Sequence, residues 1–310
     1  MLDVHRLRLL RELHRRGTLA AVARALSYSP SAISQQLSQL EAETGVRLLE
    51  RVGRGVRLTQ QARVLVEHTD AVLARLERAE ADLAASLTEV TGRLRVASFQ
   101  SVLLTLVPAA LSRLAAQHAG LRVQITQSEP EPALAGLLAH DFDVVLGEEY
   151  PDQPVVPLSG VEEEDLARDA LRLVLPPDRP LVSLADLADA AWVFDPPSTA
   201  AGRWARSLCR AAGFEPDVRF ESPDYLLHLH LVETGHAVAL LPDLLWTVRS
   251  TPARLVELPG RPTRRLYTAV RTGAGGHPAV RAFRNALAAA LQVGPGGPAD
   301  GTGVTAGGGT

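Results

Sequence analysis

The sequence predicts an α + α/β fold, in which a small helical head is joined by one long helix to a body of alternating strands and helices. Three observations predict it. Apolar residues in 1–60 recur at helical spacing in short, separately capped segments. Residues 60–90 contain neither glycine nor proline, and from residue 93 onward short β-rich runs alternate with helical ones. At 310 residues the chain exceeds one typical core, and its 46% apolar content is enough to fill two or three.

In the head, Leu19, Val22, Ala23 and Leu26 repeat at i, i+3, i+4 and i+7, the stripe of a helix that Thr18 is placed to cap. Ser27, Tyr28 and Ser29 join it to a second helix, with Ser29 as cap and Pro30 at the first helical position, where its missing N–H costs nothing. At about 3.6 residues per turn, Ile33, Leu37 and Leu40 fall on one face of that helix, and Ser31, Ser34, Gln35 and Ser38 on the other, which carries no acid. A helix, a tight turn and a helix with amide and hydroxyl groups outward suits the reading of base edges in a major groove. The same spacing also suits two helices of a bundle with a solvated face.

Charge favours the first reading. Arg51, Arg54 and Arg57 follow the second helix, interleaved with Gly53 and Gly55 and ending at Thr59, as in a short β-wing whose guanidiniums reach phosphates. Residues 1–60 hold ten arginines against five acids, a surplus of five, whereas the whole chain has a net charge of −3, so the remainder carries −8. A basic head on an acidic body suits nucleic acid bound at one end.

Thr59 is placed to cap a long helix reaching about residue 87. Along it Leu65, Val72, Leu76, Ala79 and Leu83 form a seam of period near 3.5, the pattern of a helix that pairs with another. In the body, residues 93–99, 121–128, 143–149, 171–176, 191–195, 218–222, 237–242 and 266–271 read as strands. Helical patterns lie near 102–116, 199–212, 225–235 and 278–291, and the alternation predicts parallel-type sheets. Ligands of such sheets sit off the carboxyl ends of strands, where helix starts offer free N–H groups. Ser98, Gln100 and Ser101 occupy one such place and Pro197, Ser198 and Thr199 another. Together they would favour a small anion such as a carboxylate, while the hydroxyls among them equally suit ordinary helix caps.

The stretch 18–59 closely resembles the winged helix-turn-helix of LysR-type transcriptional regulators. The resemblance rests on Ala20 to Ala23, Ser29 to Gln36, Leu40 and Glu41, Gly45, Leu48 to Arg51, and Leu58 with Thr59, in order and correctly spaced. It continues more weakly to about residue 292. It implies that Thr18, Ser29, Pro30, Ser31, Ser34, Gln35, Ser38, Arg51, Arg54 and Arg57 face double-stranded DNA at an interrupted dyad operator. Many members carry Arg where Gln35 stands. Gln suits adenine where Arg suits guanine, so operator preference is expected to differ from that of an Arg-bearing relative. The resemblance also implies a DNA-binding domain at 1–59 and a dimerising linker at 60–88. It further implies a periplasmic-binding-protein-like effector domain of two α/β subdomains, 93–165 with 266–292, and 166–265. A small-molecule effector between them would then tune operator binding by a homodimer or homotetramer.

Other chemistry finds little support. All 32 basic residues are arginine, so no lysine can form a Schiff base or hold a phosphate in a P-loop. Cys209, the lone cysteine, excludes an internal disulfide and a multi-cysteine zinc site, and reads as a small apolar residue of a helix. His228, His230 and His236 lack the i, i+4 pairing of helical metal ligands. The acidic run 162–165 reads as a solvated loop, and no catalytic set stands out. We therefore expect no enzyme activity, cofactor or metal. The charged start lacks the apolar stretch of a signal peptide, and no run approaches the roughly 18 apolar residues of a membrane span, which predicts a cytoplasmic protein. Residues 294–310, with eight glycines in seventeen, are expected to be disordered. A rival reading is a ligand-binding protein or enzyme that keeps a helix-turn-helix only for oligomerisation.

Overall fold

A computed structural model describes residues 1–26, 28–53, 55–153, 157–180 and 183–292. The expectations for Arg54 and for residues 294–310 fall outside them. The head consists of α1 (Val4–Arg16), α2 (Leu19–Leu26), α3 (Pro30–Thr44) and the antiparallel hairpin β1 (Leu49–Val52) and β2 (Gly55–Leu58). Its caps follow local chemistry. Asp3 accepts from Arg6 N at 3.0 Å, Thr18 from Ala21 N at 3.1 Å and Ser29 from Ala32 N at 3.2 Å. Gly17, at φ 74°, and Gly45, at φ 69°, end α1 and α3 in the left-handed conformation that glycine adopts without strain. Leu10, Leu13, Val22, Ile33, Leu37 and Leu40 are fully buried together. Glu41 ties α3 to the hairpin by accepting from the backbone N–H groups of Leu48 and Leu49, at 2.8 and 3.0 Å.

Thr59 caps α4 (Gln60–Ala85), accepting from Ala62 N at 3.2 Å. Its 26 residues extend about 39 Å at the usual helical rise. The expected seam divides. Leu65 packs against the head core, whereas Val72, Leu76, Ala79 and Leu83 are exposed.

The body contains β3 (Gly92–Ser98), α5 (Gln100–Gln117), β4 (Leu121–Gln127), α6 (Pro130–Leu138), β5 (Val144–Glu149) and β6 (Val161–Leu175). It continues with β7 (Ala191–Phe194), α7 (Ala200–Ala211), β8 (Asp217–Glu221), α8 (Tyr225–Glu233) and β9 (Ala239–Pro242), and ends with β10 (Arg254–Glu257), β11 (Thr263–Arg271) and α9 (Pro278–Gln292). The sheet order is β10-β6-β11-β5-β3-β4, with β9 also on β6. A separate parallel pair, β7-β8, touches the β9 segment through a bridge from Trp192 to Val238.

Two sequence expectations are corrected here. The sheet is mixed rather than parallel: β3 runs parallel to β4 and β5, but β11 is antiparallel to both β5 and β6. The acidic run 162–165 is strand, not loop, and forms the start of β6 opposite Tyr267 to Val270. Arginines hold it there, with Arg265 Nη1 2.8 Å from Glu163 Oε2 and Arg284 Nη1 2.9 Å from Glu164 Oε2. Strand β6 passes unbroken through residue 165, pairing along 161–170 with β11 and along 171–175 with β9 and β10. It therefore crosses from one subdomain core, around Val96, Val144, Phe283 and Leu287, to the other, around Leu173, Trp192, Phe194 and Trp204.

The head and α4 lie against the first subdomain. Arg271 Nε donates to Glu77 Oε1 at 2.6 Å, Ser159 Oγ to Asp70 Oδ2 at 2.9 Å, and Arg15 Nη2 to Ser159 O at 2.6 Å. Gly273, at φ 96°, passes so close to α4 that a Cβ there would lie 2.3 Å from Ala74 O.

Candidate nucleic-acid interface and interdomain cleft

Helix α3 is one-sided. Ile33, Leu37 and Leu40 have no solvent exposure, while Ser31, Ser34, Gln35 and Ser38 are exposed. Only Ser31 among the four shares a side-chain hydrogen bond with a described residue, through Ser29 Oγ at 3.0 Å. Gln35, Ser34 and Ser38 thus keep their donors and acceptors for a partner. Thr18 and Ser29 are also exposed, but their hydroxyls accept from their own helix starts, and Pro30 is exposed at the first turn of α3. In the hairpin, Arg51 is exposed, and Arg57 Nη2 donates to Glu50 Oε2 at 3.0 Å.

Sequence reasoning passed over Gln39 and Tyr28. Gln39, four residues after Gln35, is exposed at the edge of the same face, a position that the spacing alone could have given. Tyr28 is 48% exposed ahead of α3 and rests against His5, with ring centroids 5.9 Å apart.

The second place of interest is the cleft where the β6 crossing separates the two cores. Arg264 of β11 lies at its floor with no solvent exposure. Its Nη1 donates to Glu148 Oε2 at 2.5 Å, its Nη2 to Asp169 Oδ2 at 2.6 Å and to Ser101 Oγ at 2.8 Å, and its guanidinium lies 5.4 Å from the Phe99 ring centroid. Burial pushes both Glu148 and Asp169 upward, and Arg264 opposes the push. Tyr150, which follows β5 and packs against Trp204, and Tyr225, at the start of α8, meet hydroxyl to hydroxyl at 3.3 Å.

The six residues expected near an effector take varied parts. Ser98 and Ser101 are fully buried: Ser98 Oγ donates to Phe99 O at 3.2 Å, and Ser101 accepts from Arg264. Thr199 is an N-cap, donating to Pro196 O at 2.8 Å and accepting from Gly202 N at 3.0 Å. Pro197 and Ser198 are exposed beside it. Gln100 spans the cleft and reaches the start of α8.

The walls are rich in acids. A cavity of about 960 Å³, lined by Glu129, Glu131, Glu148, Tyr150, Ala200 and Arg203, opens between the subdomains and toward the head. Burial, with Glu148 and Glu131 nearby, pushes the Glu129 carboxyl up to about 7. Burial also pushes Asp195 well above the ordinary carboxylate range, and Glu148 and Glu129 add to the effect.

Two other residues singled out by sequence are structural. Cys209 is fully buried in α7, and burial pushes its thiol up to about 12, far from the thiolate that redox chemistry requires. His228 is 1% exposed, its Nε2 is 2.6 Å from Ser222 O, and burial lowers its pKa.

Comparison with known proteins places this architecture. Residues 4–63 match the family model for the bacterial regulatory helix-turn-helix protein of the lysR family, and residues 87–292 match the LysR substrate binding domain. The chain is 30% identical over 286 residues to the HTH-type transcriptional regulator MetR of Salmonella typhimurium, covering 88% of this chain and 86% of MetR. It is 25% identical over 263 residues to the transcriptional dual regulator GltC of Bacillus subtilis, covering 83% and 86%. The fold is similar to that of the LysR family regulator CbnR, with a TM-score of 0.52 at 23% identity over 92% of this chain and all of CbnR. A head that turns a polar helix face outward, a long helix and a two-part α/β body, matched along nearly their whole length, establish that the chain belongs to the LysR family of DNA-binding transcriptional regulators.

Proposed function

We propose that this regulator reads an interrupted dyad operator with Ser31, Ser34, Gln35 and Ser38 of α3, flanked by Thr18, Ser29 and Pro30, while Arg51 and Arg57 of the hairpin grip phosphates. The observation that carries the reading is the one-sidedness of α3: its apolar residues are wholly buried, and three polar side chains opposite are exposed with no partner among the described residues. Two heads are joined through the exposed seam of Val72, Leu76, Ala79 and Leu83, so that a homodimer, or a tetramer of two such pairs, spans adjacent major grooves about 34 Å apart. In this division residues 1–59 read DNA and 60–88 join the copies. Residues 93–165 with 266–292, and 166–265, enclose the effector beside Gln100 and the 197–199 turn. The effector shifts the equilibrium between subdomain arrangements and hence the bend or spacing of bound DNA. We assign it no reaction, and place it in the cytoplasm with the DNA it reads; among the described residues no helix is long and apolar enough to cross a membrane.

Footprinting of the purified chain on the region upstream of its own gene tests the reading. The expected result is two protected half-sites on one face of the duplex, weakened steeply by salt. Leu76→Asp with Leu83→Asp should yield a monomer by light scattering that protects neither. Protection unchanged by Gln35→Ala and Ser34→Ala would remove α3 as the reading element.

A further inference from the structure

Head, linker and body meet at Asp70 of α4. Its Oδ2 accepts from Ser159 Oγ of the first subdomain at 2.9 Å, and its Oδ1 lies 3.6 Å from both Arg11 and Arg15 of α1. Arg15 donates in turn to Ser159 O at 2.6 Å, and Arg11 to Leu138 O at 3.4 Å. The approach is close: at Gly160, φ 80°, a Cβ would lie 2.8 Å from Arg15 Nη2. Gly160 leads straight into β6, and Thr272, just past β11, donates its N–H to Gly160 O at 3.0 Å. Val161 of β6 pairs with Arg271 of β11, which holds Glu77 about two turns further along α4. The two strands that carry Asp169 and Arg264 to the floor of the cleft therefore both end against α4. The junction is polar and loosely packed. Cavities of about 280 and 100 Å³, both lined by Arg8, lie between the head and the first subdomain. Asp70 Oδ1, Arg11 Nε and Arg15 Nη1 are buried with no hydrogen-bond partner among the described residues. Such a contact can open without exposing a hydrophobic core, as interfaces between moving domains do. Helix α3 takes no part in it, since Ser34, Gln35 and Ser38 remain exposed while the head is docked.

We propose that Asp70 and Ser159 are positioning residues for DNA reading. They lock the head to the start of β6, so that the arrangement of the subdomains sets the direction in which α3 points, and with it the spacing of half-sites that two joined heads accept. The proposal rests on the reading of α3 as the helix that contacts DNA. Rotation of one core against the other about β6 and β11 turns the end that these strands share, and the lock passes that turn to α1 instead of leaving α4 to absorb it. A general stabilising role explains less, because the head has its own apolar core, to which no residue of the body contributes.

Distances between paired spin labels, together with DNA binding by the full-length chain, test it. Labels are placed through Val46→Cys in the head and Gln117→Cys in the first subdomain, both exposed positions, while Cys209 is fully buried and stays unlabelled. Dilution with unlabelled chain restricts the measurement to labels on one copy. Without DNA the parent should give one narrow distribution of distances. Arg15→Ala with Asp70→Ala, which removes the lock and leaves the net charge unchanged, should broaden it, and Ser159→Ala should broaden it from the body side. On DNA the double variant should bind a single half-site as the parent does, which shows that its head folds. It should lose about fivefold or more of the parent's preference for the natural half-site spacing over one lengthened by about five base pairs, half a turn of the duplex. Distributions as narrow in both variants as in the parent would overturn the proposal. Equal weakening on single and paired half-sites would overturn it too, as the mark of a merely structural role. A parent chain that binds no half-site would remove the reading of α3, and the proposal with it, whatever the labels show.

Discussion

Gln100 and Asp224 join the two subdomains across the cleft: the Gln100 amide donates from Nε2 to Asp224 Oδ1 at 2.8 Å, and its Oε1 accepts from Tyr225 N at 2.7 Å. Asp224 also accepts from Leu226 N at 2.9 Å, so one carboxylate caps α8 and latches the cleft. The Gln100 donor, ahead of the backbone N–H groups of α8, holds the Asp224 carboxyl below its ordinary range.

Gln100→Ala should therefore lower stability by about 1 kcal/mol per lost hydrogen bond, and loosen the subdomains relative to each other. A carboxyl whose folded pKa is depressed contributes stability that is present above its unfolded pKa and lost as pH falls through the folded value. The difference between parent and variant should accordingly be largest at neutral pH and shrink in acid. Urea melts at several pH values measure this. A difference that grows as pH falls would exclude the latch.

Sequence reading at α3 and anchoring at the hairpin should separate experimentally. Gln35→Ala should cost about 1–3 kcal/mol of discrimination at a single operator position while leaving the salt dependence of binding intact. Arg51→Ala should weaken binding to all sequences and reduce the salt slope by about one. Because Glu50 engages the exposed Arg57 guanidinium, Glu50→Gln should strengthen DNA binding, the reverse of what a merely structural ion pair would give. Fluorescence anisotropy at three salt concentrations distinguishes the three variants.

Glu129 gives a pH signature of opposite sign to that of Asp224. Its carboxyl is pushed from an ordinary value of 4.5 up to about 7, chiefly by burial. Between these values the folded chain holds a proton that the unfolded chain has released, so stability falls as pH rises through the window and stays lower above it. Glu129→Gln cannot ionise. Its melting temperature should match the parent's near pH 4.5 and exceed it increasingly toward pH 7 and above. Parallel melting curves across that window would show that Glu129 titrates normally.

What was legible in the sequence is what short-range periodicity and capping determine. Ile33, Leu37 and Leu40 could be assigned inward, and Ser34, Gln35 and Ser38 outward, because one helix fixes both faces. Thr18, Ser29 and Thr59 cap the helices they precede for equally local reasons. The start of β6 was opaque because Glu162 to Asp165 are all exposed and show no alternation; the strand exists through pairing with β11, about a hundred positions away. Helix α6 was passed over although Pro130 at its start and Leu134 with Leu138 mark it. The cleft was the least legible part. Ser101 reads as an open helix start until Arg264, brought from 163 residues along the chain, takes its hydroxyl, and nothing local announces that Glu148 and Asp169 share that same arginine.

Arg264 is the residue on which the cleft's electrostatics turn, and its removal should be far more damaging than loss of a surface ion pair. It neutralises Glu148 and Asp169, both almost wholly buried, and donates to Ser101 as well. Arg264→Met preserves much of the volume but leaves two carboxylates without a counter-ion, which for buried pairs costs about 3–5 kcal/mol. If the loss arises from stranded charge rather than from packing, neutralising the partners should restore part of it. Glu148→Gln with Asp169→Asn in the Arg264→Met background is then more stable than Arg264→Met alone, although each partner change by itself destabilises the parent. Denaturant melts of the parent, Arg264→Met, the Glu148→Gln with Asp169→Asn pair and all three changes together give this coupling directly. Additive losses would mean that Arg264 holds the cleft by shape, and that the acids around it are matched by something other than its charge.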